Sequence, residues 1–381
     1  MTRASSRSTA RVLALALGAA LTSFACDEKK TTESHKSDAG TDKYATADPK
    51  LEKALRASSS SASESGPPPE GIFAAGVADQ RHPKGVAAKL DSPSDGSEPR
   101  VSLLRANDAG DAARAKSYGP AVLELGMQMG PRVAMPTIDF GLGIGPARKD
   151  DGGADWILAE VKRAVAAKEQ PGQLPAGSDH DIASLAGTSL RVKATADGLV
   201  GELDVQLGKG TRPEFERLAE TAAEDLAFST VPLPSNPVGV GAQWIAEARM
   251  PFGGIDAITY SAYRVKSIEG ERVRLELKVK AYASSKDVHL QGIPKGASLE
   301  QFDGQAQGEL ELVRGEVLAR KSTVQQRVVM VLLAAGGAQG GPAPGEADPS
   351  KPPAGNMLTA QIQSQATLVR GEDLRSAARQ P

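Results

Sequence analysis

Alternating apolar and polar residues mark most of the chain after about residue 99 as β-strand. Between Met135 and Ile144, the side chains of Ile138, Phe140, Leu142 and Ile144 recur at every second position. Because successive side chains of a strand point to opposite faces of its sheet, this period predicts a strand with one buried face. The same pattern predicts further strands in the segments 100–105, 122–129, 190–196, 199–207, 258–262, 308–312 and 358–369.

Turn dipeptides divide these segments into hairpins. Asp197-Gly198 lies between two alternating segments, a sequence typical of a two-residue hairpin turn. Glu269-Gly270 and Arg314-Gly315 stand at equivalent places further along the chain. After Glu269-Gly270 comes the most regular strand, whose apolar positions are Val273, Leu275, Leu277 and Val279. These segments therefore predict antiparallel strands joined by short turns.

One helix is predicted, over residues 213–229. Thr211 is a suitable N-cap, and Glu214 follows it by three residues, as in a capping box. The apolar side chains recur every three or four residues and form one stripe, at Phe215, Leu218, Ala222 and Leu226. We expect the acidic side chains to face water; these are Glu214, Glu216, Glu220, Glu224 and Asp225.

Three segments are less regular. In 155–169, Ile157, Val161 and Val165 fit the spacing of a helix and also that of a strand, and the neighbouring strands favour a strand. The continuous apolar run 328–335 predicts a strand buried on both faces. The Gly- and Pro-rich segment 336–356 predicts a mobile loop.

Together these elements predict a mainly β (α+β) fold. We expect an antiparallel twisted sheet, or sheets, built from two similar units at 99–229 and 230–381. The amphipathic helix at about 213–229 packs on the sheet in this prediction. The folded body then spans residues 99–381.

The first 25 residues predict a signal peptide. Arg3, Arg7 and Arg11 precede an apolar run over 12–21, which is too short to cross a bilayer as a helix. Such a charge distribution keeps the amino terminus in the cytoplasm while the apolar run inserts. The protein is therefore expected to be exported.

Cys26, the single cysteine, follows Ser23-Phe24-Ala25. This segment resembles a bacterial lipobox, in which the cysteine becomes the lipidated first residue; the family prefers Leu where Ser23 stands. The resemblance implies acylation of Cys26, for example with palmitate, and anchoring on the periplasmic side of the cell envelope. Asp27 resembles an inner-membrane retention signal. The alternative is an ordinary secretory signal peptide, because Ser23 and Ala25 also suit its cleavage site.

Residues 26–98 predict a disordered tether that begins at the lipidated cysteine. The segment is poor in large apolar residues, and residues 58–65 contain six Ser before three consecutive Pro. Such a composition buries too little apolar surface to offset the entropy lost on folding. The more apolar stretch 71–79 either docks on the body or forms an irregular loop, and we favour the loop. His82 in this region is expected to be solvated.

Composition excludes several classes of protein. The 45 basic and 47 acidic residues give a net charge of -2, which provides no attraction to nucleic acid. One Cys excludes an intramolecular disulfide framework and a Cys-rich metal site. A mean hydropathy of -0.29 excludes a polytopic membrane protein.

A block of Pro, Gly and Trp separates the two predicted units. It reads Val231-Pro-Leu-Pro-Ser-Asn-Pro237, then Val238-Gly-Val-Gly-Ala-Gln-Trp244. With residues of about 180–330, it resembles a family of bacterial lipoproteins of unknown function that carry Pro-Val-x-Val-Gly-x-x-Trp. The resemblance implies a location rather than an activity. From the residues themselves, Trp244 is expected to fill the core, and the alternative is that it forms one wall of a ligand groove.

No residues of this chain point to catalysis, a metal or a cofactor. The histidines are His35, His82, His180 and His289. The triplet 179–181 would place adjacent side chains apart in an extended loop, and we expect no metal site there. The Gly-rich segment 141–145 is followed by Pro146 rather than a helix, so it predicts no dinucleotide site. Carboxylates such as Asp139 and Asp303 are scattered along the chain.

Three functions remain open. We favour a non-enzymatic envelope lipoprotein that binds a partner protein or acts as a scaffold. The second is a carrier of lipid or another apolar ligand, in a curved sheet closed by the 213–229 helix; this resembles periplasmic lipoprotein-carrier folds in outline. The third is an enzyme with a diffuse site. A carrier requires a sizeable apolar cavity between sheet and helix, and a binding protein does not.

Overall fold

The described part of the chain begins near residue 68. The computed structural model describes residues 68, 70–104, 118–130, 133–149, 155–167, 178–195, 197–288, 290, 293, 296–334, 356–371 and 374. The predicted signal peptide, Cys26, His35 and His289 lie outside these residues, as does the predicted loop 336–356 except for its last residue.

Thirteen strands form one antiparallel sheet, so the structure confirms a mainly β fold. Their bounds are β1 Lys89–Ser94, β2 Gly119–Met129, β3 Val133–Ala134, β4 Ile138–Lys149, β5 Asp155–Ala166, β6 Ser189–Ala194, β7 Val200–Gln206, β8 Gln243–Phe252, β9 Ile255–Glu269, β10 Arg272–Ala283, β11 Ser298–Val313, β12 Lys321–Ala334 and β13 Asn356–Arg370. Twelve of them follow the spatial order β1-β8-β9-β10-β11-β12-β13-β2-β4-β5-β6-β7, and β3 pairs with β2 beside this path.

The sheet consists of two meanders joined by its last strand. One meander runs from β8 to β13 and the other from β2 to β7. Strand β13 pairs with β2 from Ile362 opposite Met129 to Arg370 opposite Ala121, which makes the two meanders one sheet. The prediction of two similar units is not confirmed.

Among the described residues, three α-helices accompany the sheet. They are α1 Val77–Arg81, α2 Ser178–Ala183 and α3 Glu216–Phe228, with a 3₁₀ turn at Pro213–Phe215 before α3. The predicted helix over 213–229 is thus confirmed. Its predicted capping box is wrong, because no side chain caps its start and the Thr211 hydroxyl donates instead to the carbonyl oxygen of Ser184 (2.6 Å). No helix within the described residues is long and apolar enough to cross a membrane.

The core lies between α3 and one face of the sheet, called the inner face here. The sheet curves around α3, which packs against β6, β7 and β13. Phe228 of α3 meets Phe252 of β8 edge to face, with ring centres 5.8 Å apart. The four alternating side chains predicted for β4 all point inward and are at most 2% exposed: Ile138, Phe140, Leu142 and Ile144.

Residues 70–104, called the strap here, are part of the folded body. Near its start the strap lies between the ends of β10 and β11: the amide of Phe302 donates to the oxygen of Glu70, and the amide of Ala283 donates to the oxygen of Gly71 (both 2.9 Å). Gly71 has φ 74°, and a Cβ there would lie 1.8 Å from the oxygen of Phe302, so only glycine fits. The prediction of a disordered tether is therefore wrong for residues 70–98, and residues 26–67 of that prediction lie outside the described residues.

The strap covers an apolar cluster on the outer face of the sheet. Phe73 contacts Tyr282 edge to face, and the Arg81 guanidinium lies 5.5 Å from the ring centre of Tyr260. The outer cluster consists of Phe73, Ala78, Ile245, Ile258, Tyr260, Ala262 and Tyr282. Stretch 71–79 thus docks on the body, contrary to the favoured irregular loop. His82 is completely buried, not solvated, and its burial lowers the pKa of the imidazole.

Several strand predictions are confirmed and two are corrected. The ambiguous segment 155–169 contains strand β5, and Asp197-Gly198 and Glu269-Gly270 form the predicted hairpins. Segment 100–105 contributes only an isolated bridge between Val101 and Val238. The apolar end of β12 is buried on one face only, because burial alternates along it from Lys321 to Ala334.

The Pro, Gly and Trp block connects α3 to β8. Trp244 has no exposed surface; its ring stacks on Tyr263 at 5.6 Å, and its Nε1 donates to the oxygen of Pro232 (2.8 Å). A Cβ at Gly239 would lie 1.6 Å from the oxygen of Ser97, so this glycine allows the strap to cross the block. The core position predicted for Trp244 is confirmed, and the alternative of a ligand groove walled by Trp244 is wrong.

Candidate functional site

The two ends of the curved sheet meet at a seam. Strand β7 forms one edge, and β1, paired to β8, forms the other. The amide of Ala88, next to β1, donates to the oxygen of Val200 in β7 (3.1 Å). This backbone hydrogen bond joins the two edges at one level, while beyond it β7 and β8 are not hydrogen-bonded to each other. The sheet is therefore curved but not closed.

A cleft of about 590 Å³, called the seam cleft here, opens where the edges separate. Residues 201–205 of β7 form one wall, residues 249–251 of β8 the other, and α3 the floor. Lys84 and Gly85 of the strap lie at its border. Because inner-face and outer-face side chains both line it, the cleft is a gap between strands rather than a hollow over one face.

Carboxylates dominate the charges of the seam cleft. Two cations line it, Lys84 and Arg249, and both bind Asp256 (3.2 and 2.8 Å). Burial opposes ionisation of Asp256, but hydrogen bonds from Arg249 and Ser284 and the neighbouring positive charges outweigh it and lower its pKa. Six carboxylates line the cleft: Glu202, Asp204, Glu216, Glu220, Glu224 and Asp256. Arg191 binds Asp204 (2.9 Å), Lys193 lies 3.8 Å from Glu202, and Arg217 binds both Glu220 and Glu224. The negative potential of the cleft therefore comes mainly from its exposed carboxylates, Glu216 and Glu202.

Glu224 connects the cleft floor to the β8–β9 turn. Its side chain is 1% exposed and binds Arg217 at 3.0 Å. Its two oxygens accept hydrogen bonds from the amides of Gly253 and Gly254 (2.9 and 3.2 Å), and one also accepts from Nε2 of Gln326 (3.2 Å). Such saturation is what a buried carboxylate requires. The predicted exposure of Glu224 is wrong.

Asp225, the next residue, is buried in a different way. It is 1% exposed, and neither carboxyl oxygen has a hydrogen-bond partner within the described part of the protein. Burial, followed by the charge of Glu224, raises the pKa of Asp225 well above its usual value, although Arg217 opposes the shift. Burial thus favours the neutral, protonated form of the Asp225 carboxyl over the charged form. Its predicted exposure is also wrong.

Adjacent carboxyl groups in unlike environments are an arrangement that acid–base catalysis uses. Here Asp225 has no surface that a substrate could reach, and the oxygens of Glu224 are occupied by hydrogen-bond donors. Of the two, Glu224 fixes α3 against the β8–β9 turn through the amides of Gly253 and Gly254. The group that remains available to a ligand is the set of exposed carboxylates around the cleft.

The residues considered from the sequence are dispersed. His180 is exposed on α2 rather than in an extended loop, and its neighbour Asp181 binds Arg212 (3.0 Å). Asp139 faces Glu124 across β4 and β2, and burial raises the pKa of both carboxyls. Asp303 binds Lys280 on the outer face. Among the described residues, no group of three or more His, Cys, Asp or Glu is arranged to hold a metal ion.

The buried carboxylates of α3 were not recognised from the sequence, although one signal was present. Alanines occur on several sides of this helix, at positions 219, 222, 223 and 227. A helix with small apolar residues all around is typical of a helix enclosed by the protein. The five acids concealed this signal, because acids in a helix are usually solvated.

The contact between the middle of α3 and the sheet is closely packed. Leu226 and Ala222 of α3 and Leu277 and Val328 of the sheet have no exposed surface. The walls of an apolar cavity would be accessible to a water-sized sphere, and these residues are not. Around these four residues the interface therefore has no room for an acyl chain.

Comparison with known proteins adds no assignment. No model of a protein family matches the chain, and no curated protein matches it.

Replacing Asp225 by Asn should stabilise the protein increasingly as the pH rises. A raised pKa means that the folded state binds the Asp225 proton more tightly than the unfolded state, so stability falls from about pH 4 upward. Asn carries no titratable proton and removes this loss. Urea unfolding should show similar stabilities at pH 4 and a gain on the order of 1–3 kcal/mol for D225N at pH 8. A gain that does not change with pH would contradict the buried neutral carboxyl.

Proposed function

We propose that the protein is an exported lipoprotein, anchored through Cys26, that binds a cationic partner in the seam cleft without chemical conversion. The acidic lining of the cleft carries this proposal. The single cysteine, placed after a short apolar run, supports the anchor. The filled interface between α3 and the sheet favours a binding protein over a lipid carrier.

The exposed carboxylates suit a cationic ligand better than the buried ones do. Glu202 on the β7 wall and Glu216 at the start of α3, on the floor, are both exposed and line the cleft. A cation between them gains attraction from both without the full cost of leaving water. Asp256 is already paired with Arg249 and Lys84, which contribute to shaping the border of the cleft.

A co-sedimentation experiment tests anchor and cleft together. The protein purified from bacterial membranes is reconstituted into phosphatidylcholine vesicles and mixed with a fluorescent seven-residue peptide of alternating lysine and valine. We expect the vesicles to carry the peptide into the pellet, and a peptide of alternating glutamate and valine to stay in solution. Replacing Glu202 and Glu216 by Gln should lower the affinity about tenfold, since each exposed ion pair contributes roughly 0.5–1 kcal/mol.

Controls separate the two halves of the proposal. Glu269→Gln removes an exposed carboxylate at the far end of β9 and should leave binding unchanged. A chain that begins at residue 27 should stay with its peptide in the supernatant. If the protein purified from membranes lacks acyl groups, the anchor is disproved; if anchored protein leaves the lysine peptide in solution, the function of the cleft is disproved.

A further inference from the structure

Strand β1 fills only part of the space between β8 and β7. It pairs with β8 from Gln243 to Glu247, and the chain before Lys89 then turns away toward the cleft border. Residues 248–252 of β8 continue past this point without β1 beside them. The seam cleft therefore occupies the continuation of the position that β1 holds.

Both strands bordering the cleft have unpaired backbone edges. In the described part of the chain, residues 201–206 form backbone hydrogen bonds only with β6, and residues 248–252 only with β9. Unpaired amides and carbonyls at a sheet edge are the groups to which an extended peptide adds. Pro251 has no amide hydrogen, so β7 is the better edge for pairing.

The direction and length of an added strand follow from the sheet order. Strands β8 and β7 are second and twelfth in an entirely antiparallel order, so they point the same way. A segment between them would run antiparallel to both, as β1 does to β8. The strap lies against Gly201, where a Cβ would be 3.3 Å from the nitrogen of Ala87, so the open edge is 202–206. This edge accommodates about five residues of extended chain, on the order of 17 Å.

The side chains along the cleft define the sequence of such a peptide. On β7, Leu203 and Val205 point to the inner face, where Met250 lies across the cleft, while Glu202 and Asp204 point outward. Alternate residues of an added strand would face these two environments. The cleft therefore suits a segment in which small apolar residues alternate with Lys or Arg. The outward carboxylates would repel an acidic strand.

We propose that the cationic partner of the seam cleft is an extended peptide segment of a protein, with alternating basic and apolar residues, which adds to β7 as a strand. This inference rests on the proposed function and names the chemistry of its partner. Bound in this way, the segment continues β1 and brings the two edges of the sheet together across the cleft.

The test uses the same anchored protein and lysine–valine peptide, with methyl groups on the peptide backbone. In an extended strand, the amides of alternate residues point to opposite edges. One peptide is methylated on the valine nitrogens and another on the internal lysine nitrogens, which blocks one edge in each case while charge is kept. We expect one of the two, the form blocked toward β7, to bind at least about tenfold more weakly than the parent peptide.

The outcomes separate this inference from the function on which it rests. If both methylated peptides bind within twofold of the parent, strand addition is disproved, while binding of a cationic ligand in the cleft stands. If the unmethylated peptide does not bind to the anchored protein, the proposed function itself fails. As a second readout, Glu202→Gln should weaken the parent peptide and the methylated peptides by the same factor, because it removes an outward carboxylate and keeps the backbone edge of β7. If Glu202→Gln leaves the affinity of the parent peptide unchanged, the assignment of the peptide to this edge is overturned.

Discussion

A chain that begins at residue 99 is expected to lose more than about 5 kcal/mol of stability relative to one that begins at residue 68. The shorter chain lacks Ile72 and Phe73, and removing a buried side chain of either type typically costs several kcal/mol. It also lacks β1, so the edge of β8 and the outer cluster around Tyr260 become exposed. Because domains are stable by only about 5–15 kcal/mol, the shorter chain should be largely unfolded.

Urea unfolding followed by circular dichroism measures this difference. The control is the chain that begins at residue 68, which keeps every described residue of the strap and should unfold at the same midpoint as the chain that begins at residue 27. Equal midpoints for the chains that begin at residues 68 and 99 would show that the strap is not part of the cooperative unit.

Glu224→Gln should destabilise the protein by about 3–5 kcal/mol, the cost of breaking a buried ion pair from one side. The amide has no charge to balance Arg217, and its NH₂ group meets the backbone amides of Gly253 and Gly254, which are also donors. The free energy of unfolding at pH 7, from urea titrations, measures the loss.

Glu220→Gln is the matched control for this substitution. Glu220 binds the same Arg217 at 3.1 Å, but its side chain is 43% exposed. Exposed ion pairs contribute roughly 0–1 kcal/mol, so the free energy of unfolding of this variant should lie within about 1 kcal/mol of that of the native protein. Equal losses in the two variants would mean that burial does not set the strength of these contacts.

The period of the apolar residues predicted most of the sheet. In β4 and β10 every second side chain is apolar, and the same side chains are buried in the core on the inner face. The pattern is local, because it depends on a strand having one wet face. It could not predict that β13 pairs with β2, since this neighbour relation joins residues far apart in the chain. The apparent division into two units reflected two meanders that share one sheet.

The strap was missed because its composition conceals its contacts. Only a few apolar side chains, such as Ile72 and Phe73, attach it, and Ser, Pro and Gly surround them. Its remaining stability comes from backbone pairing with Ala283 and Phe302 and from ion pairs such as Arg81 with Glu247 (2.7 Å). Backbone hydrogen bonds do not depend on residue type, so they cannot be recognised from the amino-acid composition. A prediction based on the scarcity of large apolar residues therefore assigns such a segment as disordered.

The seam cleft was also beyond sequence analysis. Its walls and floor come from β7, β8 and α3, which are far apart in the sequence. Each of its acidic residues, considered alone in the sequence, resembles an ordinary solvated side chain. Glu224 shows the limit most clearly: its spacing on the helix places it beside Glu220, yet one is buried and the other is not. The difference depends on where the β8–β9 turn contacts α3. The spacing of residues along the helix does not determine the position of this tertiary contact.

The place where the strap enters the sheet has a mechanical consequence. Tension applied from the amino-terminal side of residue 68 would act first on the hydrogen bonds of Glu70 and Gly71 with Phe302 and Ala283, one after another. The force would then act on α1, where Asp79 binds Arg249 at the cleft border. Only afterwards would it act on the hydrogen bonds between neighbouring strands of β2–β13. Peeling residues 70–104 releases an extended length of roughly 120 Å at most. A body tethered on that side would therefore respond to pulling at the cleft before the rest of its sheet gives way.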